Sequence, residues 1–478
     1  MRNISIYIFI IIVLSSCSDW LDVRPIGEID GEDQISTANG FFEILNGAYI
    51  TMSQTGLYGK ELSFGLVESC AHNHYNNGSE DKPFYTWNYI GDQQMRIDQI
   101  WLDAYNTIMN LNFLLDNLED KQSLFEPDDY LRIKSESMAM RAFLHFDLLR
   151  AFSRNYVGNE EQKAIPYINT YRKNIFPHLT ASEVIEQIFI DLDEAESLIM
   201  ENETLTGQSI ENIVDDIALD KRRYRFNYYA ILGLKARIYQ YINNKEQASL
   251  YAQKVIDEYG WGWTEESDLN QGYDHNVTFN KECVFMLNVH NLTQDIYQSN
   301  FSEARYTTTG GKTEFARDIF EAYTGQVGAN DLRYQYTFAN DKNGSKAISS
   351  KYGYPIDAET FERLPMIRIT EMFLIVAENG IQSDFDQSLE IVNDIRAKRK
   401  VVKLENTITA EELMNEIVKE FRKETYLEGQ VFWLYKRLNK SMIPTMDAFN
   451  TEVSIAPGNY IFPYPEAEIE FGNGSRIN

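Results

Sequence analysis

Residues 231–260 read ILGLKARIYQYINNKEQASLYAQKVIDEYG, and this stretch decides the class of fold. The small residues Ala236 and Ala248 stand twelve positions apart, with an Asn243-Asn244 turn between them. Apolar residues recur at helical spacing on both sides of the turn, which predicts two amphipathic helices. Because the turn is so short, the stretch predicts a helical hairpin.

A second stretch has the same arrangement. Residues 372–398, MFLIVAENGIQSDFDQSLEIVNDIRAK, contain Ala377, then a polar turn, and then Ser388 and Val392. The spacing in both stretches is typical of tetratricopeptide helix pairs, which stack side by side to bury their apolar faces. The sequence therefore predicts a mainly α-helical protein built on tetratricopeptide-like hairpins.

Three more segments show a helical pattern of apolar residues. One stripe runs from Trp101 to Leu118 and another from Met138 to Leu149, so both helices are expected to face the core. A further helix is predicted to begin after Thr180, because Glu183 follows it by three residues, as in a capping box. Apolar residues at helical spacing continue that helix.

The N-terminal segment predicts a lipoprotein export signal. Arg2 precedes an apolar core from Ile6 to Leu14, which is too short to span a bilayer as a helix. The small residues Ser15 and Ser16 then precede Cys17, as in a lipobox. We expect residues 1–16 to be a cleaved signal peptide and Cys17 to become the lipidated N-terminus, with the lipid as the anchor. A plain secretory signal is the alternative.

Composition and charge exclude several classes of function. The chain has 478 residues, 44% of them apolar and 13% aromatic, which indicates a folded protein with a large core. It carries 72 acidic against 44 basic residues, and its densest basic cluster, Arg396 to Lys403, ends a predicted helix. Nucleic acid is therefore not an expected partner. Cys70 and Cys283 lack metal-site spacing and are expected to be buried thiols, although a disulfide between them stays open.

Two long segments, Tyr58 to Gly91 and Trp261 to Tyr354, have little helical period and are predicted to be irregular loops. They combine aromatic side chains with amides and carboxylates, which is the chemistry that covers and hydrogen-bonds a sugar ring. The candidate ligand contacts in the first segment are Tyr75, Asp81, Tyr85, Trp87 and Asn88. Those in the second segment are Trp261, Trp263, Tyr273 and Tyr297. The alternation of residues 84–89 predicts one strand face with Tyr85, Trp87 and Tyr89, as a platform or a buried row. Packing of these aromatic residues onto the helical frame is the alternative interpretation.

Motifs of catalysis and cofactor binding are absent from the sequence. The histidines form no HExxH motif, and no GxSxG is present. Gly310-Gly311-Lys312-Thr313 lacks the upstream glycine of a phosphate-binding loop, because position 305 is arginine. His145 lies in an apolar helical stretch and is expected in the core. The absence of these motifs therefore predicts no cofactor and no metal site, whereas a pair of carboxylates at the distance used by glycosidases is not excluded by the sequence.

The mature start, Cys17-Ser18-Asp19-Trp20-Leu21-Asp22-Val23-Arg24-Pro25, resembles that of the SusD/RagB family of Bacteroidota outer-membrane nutrient-binding lipoproteins. Other segments resemble family segments in the expected order. They are Asn46 to Tyr49, the helix from Trp101 to Leu118, Ser135 to Arg154, Pro365 to Glu378, Val392 to Arg396, Glu424 to Gly429, and Phe462 to Pro465 with Glu468. The chain departs from the family pattern after Gln430, where Val431 and Phe432 stand.

The resemblance implies a cell-surface protein of the outer membrane that caps a SusC-like TonB-dependent transporter and captures oligosaccharide or polysaccharide without catalysis. It also implies a single SusD-like domain over residues 17–478, with an N-terminal part to about residue 260 and a C-terminal part from about residue 261. The family-motif residues expected to form buried or semi-buried pairs in helices are Arg368, Glu371, Glu378, Glu424 and Glu428. Three alternatives stay open, namely capture of peptides, a surface glycoside hydrolase, and a structural lid for a transporter.

Overall fold

The computed structural model describes residues 34–73, 81–200, 222–269, 277–290, 292, 318–322, 327–340, 346–349, 351–352, 362–445 and 451–472. The predicted signal peptide and Cys17 lie outside these residues. The described chain is mainly α-helical, as predicted. Its helices are α1 (Ala38–Met52), α2 (Leu66–Cys70), α3 (Asp92–Leu118), α4 (Pro127–Phe152), α5 (Ala181–Met200), α6 (Tyr228–Tyr241), α7 (Lys245–Glu258), α8 (Glu266–Leu269), α9 (Leu332–Thr337), α10 (Ile369–Gly380), α11 (Phe385–Lys398), α12 (Ala410–Glu424), α13 (Val431–Arg437) and α14 (Glu466–Phe471).

Both predicted hairpins are present, as α6 with α7 and α10 with α11. Asn243 adopts a positive φ of 61° in the first turn, a conformation that asparagine tolerates better than most residues. Asn244 caps α7 by accepting a hydrogen bond from the backbone N–H of Gln247 at 3.2 Å. Asp384 caps α11 in the same way, through the N–H of Gln387 at 3.1 Å. Since α7 packs against α10, the two hairpins stand side by side.

Helix α4 is buried along most of its length, packed against α3 and α5. Its polar side chains therefore need partners inside the protein. Arg141 donates two hydrogen bonds to the carboxylate of Asp191 on α5, at 2.6 and 2.7 Å. His145 lies in the core, as predicted. Its Nδ1 donates to the carbonyl oxygen of Arg141, and its Nε2 accepts from the N–H of Ile168 at 3.0 Å. Burial lowers the pKa of His145 to about 3.

The predicted start of α5 is also confirmed. The hydroxyl of Thr180 accepts from the backbone N–H of Glu183 at 3.2 Å, and the Glu183 carboxylate accepts from the N–H of Thr180 at 2.7 Å. This reciprocal pair is a capping box.

The described strands pair into four two-stranded antiparallel sheets, which the sequence did not predict. The strands are β1 (Lys163–Pro166), β2 (His178–Thr180), β3 (Cys283–Asn288), β4 (Phe338–Asn340), β5 (Lys346–Ser349), β6 (Arg363–Arg368), β7 (Met442–Thr445) and β8 (Thr451–Ser454). Strands β3, β4 and β5 lie within the segment from Trp261 to Tyr354, which was predicted to be irregular. Residues 283–287 are all buried, so both faces of β3 are apolar. The strand therefore lacks the alternation of polar and apolar residues by which a half-buried strand is recognised in a sequence.

Buried and half-buried ion pairs join the family-motif residues to distant parts of the chain. Glu371 pairs with Arg237 at 2.7 Å, and Glu378 pairs with Arg437 at 2.7 Å. The expected pairing is therefore confirmed. The remaining motif residues form two further pairs, Arg368 with Glu428 and Arg399 with Glu424. The helical placement expected of two residues was wrong, because Arg368 ends β6 and Glu428 lies in the turn after α12.

The basic cluster at the end of α11 has a structural role, as predicted. Arg396 is buried and pairs with Glu420 at 3.1 Å and Glu416 at 3.0 Å. Arg399 is fully buried between Glu282 and Glu424. Both guanidinium groups therefore form ion pairs with carboxylates inside the protein.

Cys70 and Cys283 are free thiols buried at separate places. Within the described ranges, no helix has both the length and the apolar character needed to cross a bilayer.

Candidate functional site

Four segments of the chain enclose a cleft with a volume of about 780 Å³. The lining residues come from 87–94, 154–159, 436–441 and 455–469. Ligand pockets in proteins commonly measure roughly 300–1,000 Å³. The cleft is therefore large enough for a ligand of several sugar rings.

Hydrogen bonds tie the walls of the cleft to one another. The buried ammonium of Lys436 donates to the carbonyl oxygens of Arg150, of Ser153 at 2.5 Å and of Tyr460 at 3.0 Å. It therefore joins α13 to the end of α4 and to the turn at residues 457–460, and it satisfies carbonyl groups that the end of α4 leaves open. The Tyr89 hydroxyl donates to the carbonyl oxygen of Asn459 at 2.5 Å, which adds the remaining wall.

Trp87 lies on the cleft in an unusual backbone conformation. Pro83 begins a single 3₁₀ turn over Phe84–Thr86, and Trp87 follows it with a φ of 51°, in the left-handed region. The indole Nε1 donates to the carbonyl oxygen of Cys70 at 3.0 Å. A bulky residue at positive φ is strained, and such strain persists where the surroundings hold the residue in place.

Trp87 is one of three stacked aromatic rings, and His72 lies in the middle of the stack. The imidazole of His72 is parallel to the indole of Trp87, and on its other face it stacks on Tyr85 at a centroid distance of 3.7 Å. The Nε2 of His72 contacts the carbonyl oxygen of Tyr85 at 2.7 Å and so must carry the proton. The hydroxyl of Thr445 contacts Nδ1 at 3.0 Å. One face of the indole is thus covered, and its remaining surface lines the cleft.

The predicted strand over residues 84–89 is wrong, because these residues form the 3₁₀ turn and the coil after it. Their side chains consequently do not share one face. Tyr85 is buried beneath His72, whereas Asn88 is exposed and lines the cleft beside Trp87. Tyr89 is half-buried and also lines the cleft.

Asp81 has a structural partner. Its carboxylate accepts from Arg96 at 2.7 Å, and Arg96 also pairs with Glu61 at 2.6 Å. The side chain of Asp81 is therefore committed to the packing of α3, and it does not line the cleft. Tyr75, Tyr273 and Tyr297 lie outside the described residues.

Trp261 and Trp263 pack on the helical frame. Both rings contact Phe373 of α10, at centroid distances of 5.3 and 5.8 Å, and the Nε1 of Trp261 donates to the carbonyl oxygen of Ile256. The guanidinium of Arg399 lies 5.5 Å from the Trp263 ring. Neither tryptophan lines the cleft, so the structure does not bring the second candidate region to Trp87.

The far wall of the cleft was not among the predicted contacts. It contributes Tyr460, Phe462 and Tyr464, together with Asn439 and Lys440 from the segment after α13. The sequence signal was Phe462-Pro463-Tyr464-Pro465, which was noted for its resemblance to a family segment and not as a site. This segment lies about 375 residues from Trp87 along the chain, so the sequence does not reveal that the two line one cleft.

The tyrosines of the cleft are neutral hydrogen-bonding groups. Burial raises the pKa values of Tyr89, Tyr460 and Tyr464 above the ordinary tyrosine value. The hydroxyl of Tyr460 donates to the carbonyl oxygen of Lys440 at 3.0 Å, and that of Tyr464 donates to Ala164. These contacts fix the rings, which therefore present rigid apolar faces.

The cleft offers binding groups of several kinds. Amides come from Asn88, Gln94, Asn155, Asn159 and Asn439. Among the described lining residues Glu466 is the one with a carboxyl group, whereas retaining and inverting glycosidases use two. The described part of the chain contains no group of three or more histidine, cysteine, aspartate or glutamate side chains arranged to hold a metal ion.

Known proteins share this fold. The chain aligns with SusD-like protein P38 of Formosa agariphila at 23% identity over 497 residues, covering 92% of each protein. The match to SusD-like protein P25 of the same organism, at 24% identity, covers 31% of this chain and 29% of that protein. A solved structure of a SusD-like carbohydrate binding protein from Bacteroides vulgatus superposes with a TM-score of 0.69 at 19% identity, covering 91% of this chain and 96% of that one.

Two family models match consecutive parts of the sequence. The model described as "Starch-binding associating with outer membrane" matches residues 19–240, and the model of the SusD family matches residues 236–471. The two matches together span almost the entire sequence, and the chain belongs to the SusD/RagB family.

Proposed function

We propose that the protein captures oligosaccharide or polysaccharide at the cell surface and delivers it to a SusC-like TonB-dependent transporter, without catalysis. The observation that carries this proposal is the placement of Trp87. Its indole is held from behind by His72 and by the hydrogen bond to Cys70, and it faces a cleft with many amides.

The chemistry of the cleft suits a carbohydrate. A flat aromatic surface covers the apolar face of a pyranose ring, and amides can donate to and accept from its hydroxyl groups. Trp87 and the rigid rings of the far wall supply such surfaces, while Asn88 and Asn439 supply amides at the rim. A site that is already in place before the ligand arrives loses little entropy on binding.

Membership of the family supports the same function. The N-terminal family model is described as starch-binding and associated with the outer membrane, and one structural neighbour is a carbohydrate binding protein. The role of Cys17 as a lipid anchor and the outward orientation on the outer membrane belong to the proposal, as does the transporter partner. Anchoring beside a transporter would raise the local concentration of captured ligand.

Affinity electrophoresis of the full chain in mild detergent tests glycan capture. The gels contain plant, host or microbial polysaccharides, and Trp87→Ala is run beside the wild type. Trp261→Ala is the matched control, because it removes the same side chain outside the cleft. We expect at least one polysaccharide to retard the wild type and the control but not Trp87→Ala.

Absence of retardation by every polysaccharide, together with binding of a peptide pool, would instead favour peptide capture. Purification of the tagged full chain from its own membrane tests the partner. A TonB-dependent transporter should be recovered with it, and its absence would contradict delivery to such a transporter.

A further inference from the structure

The charge of the cleft is opposite to that of the protein. The whole chain carries 72 acidic and 44 basic residues. Among the described residues that line the cleft, the basic residues are Arg154, Lys436 and Lys440, and the single carboxyl group belongs to Glu466. A basic cleft in an acidic protein attracts anions, because low-dielectric walls focus its potential.

The three basic residues have different roles. The ammonium of Lys436 has three protons, and it donates them to the carbonyl oxygens of Arg150, Ser153 and Tyr460. Burial and the nearby charge of Arg150 lower the pKa of Lys436 well below the ordinary lysine value, and its donors are already used, so the proposal does not depend on Lys436. Contact with a ligand is left to the side chains nearer the rim.

Arg154 and Lys440 lie on the same part of the rim. Their sequence neighbours, Asn155 and Asn439, are joined by a hydrogen bond of 3.1 Å between the two side chains. Since Arg154 is adjacent to Asn155 in the chain and Lys440 is adjacent to Asn439, this bond brings the backbones of the two basic residues close together.

The backbone of Lys440 is fixed on both sides. Its N–H donates to the carbonyl oxygen of Tyr435 at 3.0 Å, and its carbonyl oxygen accepts from the Tyr460 hydroxyl. The residue is half-buried, and besides the cleft it lines a second cavity that also contains Glu412, Glu416 and Glu452. A lysine that served only to offset the dipole of α13 would lie in the last turn of that helix. Lys440 lies beyond that turn, because α13 ends at Arg437.

We infer that the cleft takes an anionic saccharide, with Trp87 beneath a sugar ring and with Lys440 at a carboxylate or sulfate group of the ligand. This inference rests on the proposed function, since it names the class of glycan for the same cleft. Charge-assisted hydrogen bonds to such a group are stronger than those to a hydroxyl, so the anion contributes both affinity and selectivity.

Calorimetric titration of the full chain in detergent with two matched pairs of saccharides tests this inference. The first pair is an oligogalacturonate and its carboxyl-reduced form, and the second is a sulfated galactan oligosaccharide and its desulfated form. Each pair differs only in the anionic group, so the pair that shows a difference identifies that group.

We expect the anionic member of one pair to bind about tenfold more tightly than its neutral counterpart, as a charge-assisted hydrogen bond predicts. Lys440→Met should remove this difference, and high salt should reduce it. Lys403→Met is the matched control, because it removes the same charge from an exposed lysine that does not line the cleft.

Equal affinity within both pairs, with binding of all forms lost in Trp87→Ala, would overturn the anionic specificity and leave glycan capture intact. A similar loss of selectivity in Lys403→Met and Lys440→Met would also overturn it. Failure of every saccharide to bind, here and in the polysaccharide gels, would overturn glycan capture itself.

Discussion

The indole of Trp87 lies parallel to the imidazole of His72, with ring centroids 4.9 Å apart and ring planes inclined by 14°. His72 is almost fully buried, and Thr445 of β7 contacts its Nδ1. The position of the cleft tryptophan is consequently set by a histidine that does not itself line the cleft. Aromatic pairs in this geometry contribute about 0.5–1.5 kcal/mol beyond the area they bury.

Replacing the middle ring of the stack should affect stability and ligand binding together. We expect His72→Ala to lower the free energy of unfolding by about 2–4 kcal/mol, because it leaves a buried cavity. It should also weaken binding of the captured glycan about tenfold, because Trp87 loses the surface against which it is held. Chemical denaturation and calorimetry measure the two effects. Unchanged glycan affinity in a folded His72→Ala variant would show that the stack does not position Trp87.

The two lysines of the cleft should differ in their effect on stability. Lys436→Met leaves three carbonyl groups without their donor and should lower the free energy of unfolding by about 2–4 kcal/mol. Lys440→Met should change it by less than about 0.5 kcal/mol, as is usual for substitutions near the surface. Denaturant titration of both variants measures the contrast. Equal stability of the two variants would contradict the structural role of Lys436.

Arg141 and Asp191 should be strongly coupled, because both side chains are buried. Removing one partner leaves an uncompensated charge, which costs about 3–5 kcal/mol. We expect Arg141→Met to lose this amount and the double variant with Asp191→Leu to lose clearly less than the sum of the single variants. A double-mutant cycle by denaturation measures the coupling, and strictly additive losses would contradict it.

His145 should make the protein less stable in mild acid. Its folded pKa of about 3 lies below the ordinary histidine value of about 6.5, so below pH 6.5 the unfolded chain binds a proton that the folded protein does not. The free energy of unfolding should thus fall as the pH drops from about 6.5 toward 3, by up to about 1.4 kcal/mol per pH unit from this residue.

Denaturant titration at pH 7 and pH 5 measures the effect of His145. The comparison is with His145→Gln, which removes the titrating group. The wild type should lose more stability between the two pH values than the variant does. An equal loss in both proteins would contradict a depressed pKa at this position.

Much of the helical frame could be predicted because its signals are local. The Asn243-Asn244 turn, the cap at Thr180 and the apolar stripe of α4 each lie within a few residues of the helix that they define. The buried or semi-buried pairing of Glu371 and Glu378 was expected from the family resemblance. Their partners, Arg237 and Arg437, could not be named from the sequence because tertiary packing selects them.

The candidate site was predicted only in part. Trp87 and Asn88 were predicted as ligand contacts because aromatic and amide residues cluster around them outside any helical period. Both line the cleft, and their contact with a ligand stays a prediction. Tyr85 and Asp81 belong to the same cluster, but the Tyr85 ring stacks on the buried His72 and Asp81 pairs with the half-buried Arg96. For Tyr85 the difference depends on the 3₁₀ turn at residues 84–86. The far wall around Tyr460 approaches Trp87 through tertiary contacts, which no local pattern contains.

The most direct test of glycan capture in this cleft is calorimetric titration with whichever glycan retards the wild type. The full chain is compared with Trp87→Ala, with the aromatic replacement Trp87→Phe and with Trp261→Ala. Trp87→Ala should bind at least about tenfold more weakly, because it removes the stacking surface, and Trp87→Phe should recover most of the loss. Trp261→Ala should bind like the wild type. Equal binding by Trp87→Ala and the wild type, or a loss in Trp261→Ala alone, would contradict capture at the Trp87 cleft.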